Sequence, residues 1–188
     1  MASQHDDNEM VTRSLSGDEG AYAVLVGRYQ HMVFTLVYSM LRNKEEADEV
    51  AQDAFVKAYL SLKQFRGDSK FSSWLYRIAY RACLDYIRKN ARHRTDSIDE
   101  KSIKYMTDTD AGMDSYGEIE QKEYTVRMCI ESLPAEESAF VKMFYYDKLS
   151  LSEIGNITGI SENNAKVRLF RIRNKLKSML EKKQLLSI

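Results

Sequence analysis

The chain has 188 residues, 44% of them hydrophobic, with eight glycines, one proline and two cysteines, which is enough apolar material for one ordinary domain or two small ones. Little Gly or Pro and few Val, Ile or Thr runs exclude a turn-rich sheet protein and predict an all-α fold. Twenty-eight basic residues balance twenty-eight acidic ones, a neutrality that hides a strongly uneven distribution.

From Arg66 to Arg94 eight basic residues face two acidic ones, and from Lys166 to Lys183 eight face one, whereas Thr95 to Tyr124 carries nine acidic residues against three basic. Two basic patches separated by an acidic stretch suit two contacts on one long polyanion. Cys83 and Cys129 each sit in a helical pattern, so neither a disulfide framework nor a zinc site is expected, and buried reduced thiols are. The most apolar run, Met32 to Leu41, is too short to span a bilayer, and MASQHDDNEM lacks the regions of a signal peptide. A cytoplasmic protein without membrane insertion is the expectation.

In chain order, residues 1 to about 10 read as a polar, frayed tail. After the turn Ser16-Gly17-Asp18, apolar residues from Tyr22 to Met40 recur at threes and fours, giving one long helix or two end to end, with a face wide enough for the centre of a bundle. Asn43 reads as an N-cap. The helix after it buries Ala47, Val50, Ala54, Ala58 and either Phe55 or Tyr59, and leaves Glu45, Asp48, Glu49, Gln52 and Asp53 as an acidic patch, which taken alone is usually a solvated surface.

Gln64 to Lys70, QFRGDSK, is a loop around Gly67. It leads to FSSWLYRIAYRACLDYIRKNARHR, a helix capped by Ser72 or Ser73, aromatic at its start and basic along its length. Stacking and charge neutralisation act together on single-stranded nucleic acid, yet Trp74, Leu75, Ile78 and Ala82 also recur as an ordinary core stripe. An acidic Ser/Thr/Asp/Gly segment follows, with the composition of a mobile linker.

A second helical block starts near Ile119, and Pro134 opens another helix. Ser150-Leu151-Ser152-Glu153 has the form of a capping box, Gly159 suits a left-handed helix end, and Ser161 caps the last helix. Short helix, glycine turn and longer helix make a helix-turn-helix pattern. Ala165, Leu169, Ile172, Leu176 and Met179 form its core stripe, so Lys166, Arg168, Arg171, Arg173, Lys175 and Lys177 are expected outward, as entry into a major groove requires.

From about Leu15 to Leu180 the chain resembles the extracytoplasmic-function (ECF) group of bacterial RNA polymerase sigma factors. The resemblance is carried by four blocks in order: GDEGAYAVLVGRYQHMVF, EEADEVAQDAFVKAY, FRGDSKFSSWLYRIAYRACLDYIRK, and LPAEESAFVKMFYYDKLSLSEIGNITGISENNAKVRLFRIRNKL. It implies two small helical domains, a sigma region 2-like bundle over 1–95 and a region 4-like helix-turn-helix domain over 119–188, joined by a flexible acidic linker over 96–118. By the same resemblance Asp48, Glu49, Gln52 and Asp53 dock on the clamp helices of the polymerase beta-prime subunit, and region 4 meets the flap of the beta subunit. Arg66, Gly67, Asp68, Ser69 and Lys70 would capture a base flipped out of the single-stranded -10 element, with Arg77, Arg81, Arg88 and Lys89 on the same DNA. Glu162, Asn163, Asn164, Lys166, Arg168 and Arg171 would face the double-stranded -35 element. Many relatives have Asn in place of Arg81, and Gly-Thr-Val in place of Asn163-Asn164-Ala165. The implied protein is a monomer when free, is controlled by an anti-sigma factor, and has no catalytic residue, metal or cofactor.

A stand-alone helix-turn-helix regulator would account for the C-terminal block and leave the acidic patch and the aromatic-basic helix without a task. An enzyme would need a centre, and His5, His31 and His93 are scattered. A purely structural adaptor would not need Lys166, Arg168 and Arg171 on one face.

Overall fold

In the computed structural model, residues 4–95 and 118–185 are described, with side chains over 6–91 and 123–182. They form helices α1 (Gln4–Leu15), α2 (Glu19–Leu41), α3 (Lys44–Leu60), α4 (Phe71–Thr95), α5 (Glu118–Glu131), α6 (Ala135–Val141), α7 (Leu151–Thr158) and α8 (Glu162–Leu185), with no strand among the described residues. The linker expected over 96–118, with Asp108, Asp110 and Asp114, lies outside them except for Glu118.

The wide apolar face of α2 is explained by its neighbours: it packs on α1, α3, α4 and α6, and Leu25, Val33, Leu36 and Val37 have no exposed surface. It is one helix, ending at Arg42 in the left-handed conformation (φ 58°). Asn43 then caps α3 through its side chain, which accepts from the Glu46 amide at 3.1 Å. The stripe Ala47, Val50, Ala54 and Ala58 is buried as its spacing predicts, and Ala51 with it. Phe55 is the half-buried aromatic, while Tyr59 is exposed and meets the Tyr22 ring edge-on at 4.8 Å.

Two local expectations need correction. Residues from Gln4 on are helical: Asp7, 3% exposed, accepts from the Tyr29 hydroxyl and the Arg28 guanidinium, and Arg28 also holds Asp6 at 2.7 Å. A buried, fully paired carboxylate fixes α1 to α2, and Met10 and Val11 add apolar contact. Ser72 and Ser73 do not cap α4. They lie inside its first turn, and the Lys70 carbonyl accepts the first bonds, from the Ser73 and Trp74 amides.

The C-terminal block builds its helix-turn-helix as the sequence predicts. Ser150 and Glu153 form a reciprocal capping box, Gly159 ends α7 at φ 78°, and Ser161 caps α8 by accepting from the Asn164 amide. Gly155 is required by close approach, since a Cβ there would stand 2.7 Å from the Ile160 carbonyl oxygen.

The two helical blocks pack against each other, which the sequence did not foretell. Helices α2 and α4 meet α6 and α7, and the buried residues of both blocks form one continuous apolar cluster. Helix α4 is therefore buried on two sides. Phe71, Leu75, Ala79 and Ala82 follow its core stripe, and Tyr76 and Tyr80, 1% and 2% exposed, lie about a quarter-turn or more away from that stripe. Tyr76 donates to Asp147, whose carboxylate also holds Lys142 at 2.7 Å, and Arg42 donates to the Leu133 carbonyl. Each fully buried large side chain contributes about 1.5–3 kcal/mol of apolar transfer, so a contact with Tyr76 inside it is substantial.

Candidate functional site

Three surfaces carry the residues singled out in the sequence. On α3, Asp48, Glu49, Gln52 and Asp53 are all exposed. Val56 and Leu60 continue that face toward the helix end, 58% and 77% exposed. Apolar side chains so exposed, one turn apart and next to four acidic or amide groups, give α3 the make-up of a protein-binding face with a charged half and an apolar half. Periodicity marked Val56 and Leu60 only as positions outside the core stripe.

The second surface begins at the loop before α4. Gly67 turns it at φ 77°, a conformation that costs a side-chain-bearing residue, and Arg66, Asp68, Ser69 and Lys70 around it are exposed. Behind the loop, Phe65, Phe71 and Trp74 form a mutual cluster with ring centroids 5.5–5.6 Å apart. Trp74 is 7% exposed and belongs to this wall rather than to a free stacking platform. At about 100° per residue, positions 70, 77, 81 and 88 lie within about 40° of one another, so Lys70, Arg77, Arg81 and Arg88 make one basic line down α4. Lys89 points about 100° away from Arg88. Arg81 and Arg88 are exposed and Arg77 half-buried. Away from that line, burial pushes the Cys83 thiol and the Tyr80 hydroxyl up to about 12, which keeps both neutral.

The third surface is α8. Its core stripe is observed, and Glu162, Asn163, Asn164, Lys166 and Arg171 are exposed. Arg168 departs from the outward face expected of it. It lies over the Phe140 ring and binds Glu136 at 2.6 Å. Lys175 likewise binds Glu137 at 2.8 Å, and Arg173 covers Phe144 and Tyr145. The acidic pair that opens α6 thus draws one flank of the basic helix inward. The outermost line of α8 instead runs through Asn163, Val167, Phe170 and Asn174, with Phe170 63% exposed. Exposed Val and Phe beside Lys166 and Arg171 are groups that touch thymine methyls in a major groove, and their alternation with the core stripe was the signal that could have revealed them.

The second surface meets α7, the first helix of the helix-turn-helix. A cleft of about 190 Å³ is lined by Ser69, Lys70, Ser73, Trp74 and Arg77 from the head of the basic line and by Glu153, Asn156 and Ile157 from α7. Lys70 reaches Glu153 at 3.4 Å across it. Glu153 lies below the ordinary carboxylate range, first because the Ser150 amide donates to it, with Lys70 adding a smaller pull. Among the described residues no group of three or more His, Cys, Asp or Glu side chains could hold a metal ion, and no helix is long and apolar enough to cross a membrane.

Residues 25–93 match the Sigma-70 region 2 family model and residues 124–176 the Sigma-70 region 4 model. The Escherichia coli ECF RNA polymerase sigma-E factor is 34% identical over 190 residues, covering 96% of this chain and 97% of that one. The chain belongs to the ECF sigma factors. The ECF sigma factor SigW of Bacillus subtilis is 33% identical over 181 residues, covering 87% and 91%. In fold, the sigma factor is similar to CnrH in its complex with the cytosolic domain of CnrY, with a TM-score of 0.66, 22% identity and coverage of 94% and 97%. As a sigma factor the protein binds core RNA polymerase, directs it to promoters and takes part in opening them.

Proposed function

We propose a division of that activity among the surfaces described above. Residues 1–95 dock on core polymerase and open the -10 element, 96–118 connect, and 119–188 bind the -35 duplex. The observation that carries this reading is the basic line Lys70, Arg77, Arg81 and Arg88, which starts at the loop turned by Gly67. A strand laid along that line exchanges its counterions for four cationic side chains. A base extruded beside the loop loses a few kcal/mol of stacking, roughly, and regains it where Arg66, Asp68, Ser69 and Lys70 surround it in front of the aromatic wall.

Polymerase docking uses Asp48, Glu49, Gln52 and Asp53 with Val56 and Leu60, a pairing of steering charge with an apolar anchor, and its counterpart is the basic clamp of the beta-prime subunit; region 4 faces the beta flap. On α8, Glu162, Asn163, Asn164 and Lys166 meet base edges near the helix start, Phe170 adds apolar contact, and Arg171 holds phosphate. Arg168 reaches DNA only by releasing Glu136, and in the packed state it braces α8 on α6.

The cleft shared by the basic line and α7 means that DNA on Lys70 and Arg77 displaces Glu153 and Asn156, so the two blocks separate when the promoter is engaged. A protein that holds the packed state would silence the factor, which is the action of an anti-sigma factor; CnrH is described in complex with CnrY. The site is a binding surface without catalytic machinery, and the protein acts in the cytoplasm. The test is the salt dependence of fork-junction DNA binding by the reconstituted holoenzyme. Arg77, Arg81 and Arg88 each changed to Gln should lower the log-log slope by about 0.7–0.9 per residue. An unchanged slope in the triple variant would remove the basic line from the promoter contact. Operator-like duplex binding by the chain alone, unaffected by α3 substitutions, would favour the stand-alone regulator.

A further inference from the structure

Arg168 and Lys175 leave the outward face of α8 for a reason that lies on α6. At about 100° per residue, Arg168, Arg171 and Lys175 fall within about 60° of one another and span about 10 Å of helix, so they form one basic flank. Helix α6 packs on α8 and sets a carboxylate on two of the three. Glu136 accepts from Arg168 at 2.6 Å, and Glu137 from Lys175 at 2.8 Å. The Phe140 ring fixes the first pair further, with the Arg168 guanidinium 5.7 Å from its centroid. The four side chains are 26% to 46% exposed, and ion pairs so open to water add little to stability. What they change is the field of the helix: a carboxylate beside each cation cancels much of the attraction that a phosphate would feel there. Across the helix, Arg173 donates to the Tyr145 hydroxyl at 2.6 Å, a partner that is not a carboxylate.

We propose that Glu136 and Glu137 are positioning residues of the -35 contact: they hold Arg168 and Lys175 against α6, so that this flank grips DNA phosphate through Arg171 and not through all three cations. The inference rests on the reading of α8 as the -35 helix. Each cation that reaches a phosphate releases counterions and adds affinity for any sequence, whereas the contacts to base edges carry the discrimination. A helix with two phosphate contacts withheld binds stray duplex weakly and depends on the polymerase to bring it to a promoter. Glu136 has a further neighbour, since its carboxylate and the Arg168 guanidinium both act on the Tyr80 hydroxyl of α4. Glu137 and Lys175 therefore supply a second pair on which the same effect can be read.

The experiment titrates holoenzyme reconstituted with the full chain onto fork-junction DNA whose duplex arm spans the -35 element, between about 50 and about 200 mM salt. Glu136→Gln and Glu137→Gln should each steepen the log-log salt slope by about 0.9, and together by about 1.8, so that their gain in affinity shrinks about twelvefold across that range. The gain should vanish on a fork whose duplex arm stops short of the -35 element. Arg168→Gln should lower the slope by about 0.9 in the Glu136→Gln background and by less than about half of that in the unmodified protein, a dependence that a merely structural pair does not produce. Equal effects of Arg168→Gln in the two backgrounds, or a slope that both glutamate variants leave unchanged, overturns the inference. Arg171→Gln is the reference arm. If it lowers the slope and the glutamate variants do nothing, the -35 reading stands and the inference fails; if no α8 variant moves the slope, the -35 reading itself fails. Should Glu136→Gln disturb the contact with Tyr80, Glu137→Gln and Lys175→Gln repeat the cycle on the second pair, with the same expected and overturning results.

Discussion

Tyr76→Phe removes one hydroxyl from the contact between the two helical blocks and little else. The ring is 1% exposed, so the apolar burial is kept, and the lost group is the donor to Asp147. Burial first, and Asp147 second, hold the phenol far above its ordinary titration range, so it is a neutral donor at every accessible pH. A hydrogen bond to a charged group contributes about 1.5–3 kcal/mol. Asp147 keeps Lys142 at 2.7 and 2.8 Å after the substitution, which places the loss at the lower end, about 1.5 kcal/mol, or about a tenfold rise in the ratio of separated to packed molecules. Single-molecule energy transfer between dyes on Lys57→Cys and Lys177→Cys reports it, because both positions are exposed and the native Cys83 and Cys129 are buried. The low-transfer population should grow about tenfold while helix content measured by circular dichroism is unchanged. An identical transfer distribution in the Tyr76→Phe protein would refute the Asp147 contact as a lock.

Gly155→Ala drives a methyl group into the Ile160 carbonyl, so it should cost about 1–3 kcal/mol and remove -35 duplex retention by holoenzyme; unaltered melting would show that the turn between α7 and α8 can give way. Glu153 has a folded pKa below its unfolded value, so its contribution is fully present above the unfolded pKa and is lost as pH falls through the folded one. Glu153→Gln keeps the capping geometry but does not titrate, and its melting temperature should fall less between pH 7 and pH 3.5, roughly the carboxylate range, than that of the unmodified protein. Equal falls would contradict the assignment.

Much of this molecule is legible one helix at a time. The wide face of α2, the Asn43 and Ser161 caps, the Ser150–Glu153 box and the left-handed Gly159 follow from rules that act within a turn or two of chain, and the structure has them all. The misses are long-range. Tyr76 and Tyr80 are ambivalent residues, and a periodicity that finds one apolar face cannot say that a second block will cover the other. Arg168 and Lys175 fall outside the core stripe by spacing, yet Glu136 and Glu137, more than thirty residues earlier, claim them. The start of α1 reads as a polar tail because the partners of Asp7 that fix it lie about twenty residues further along. The acidic patch on α3 was visible as composition, and its apolar half, Val56 and Leu60, only as surface.

As a sigma factor, this chain should give core RNA polymerase a promoter preference it lacks alone. Sequencing the 5′ ends of RNA made by purified core polymerase on fragmented genomic DNA, with and without the chain, tests it directly. The expected result is new start sites that share one -10 and one -35 pattern and that vanish when Asp48, Gln52 and Asp53 are each changed to Ala. Start sites that do not depend on the added chain would contradict it.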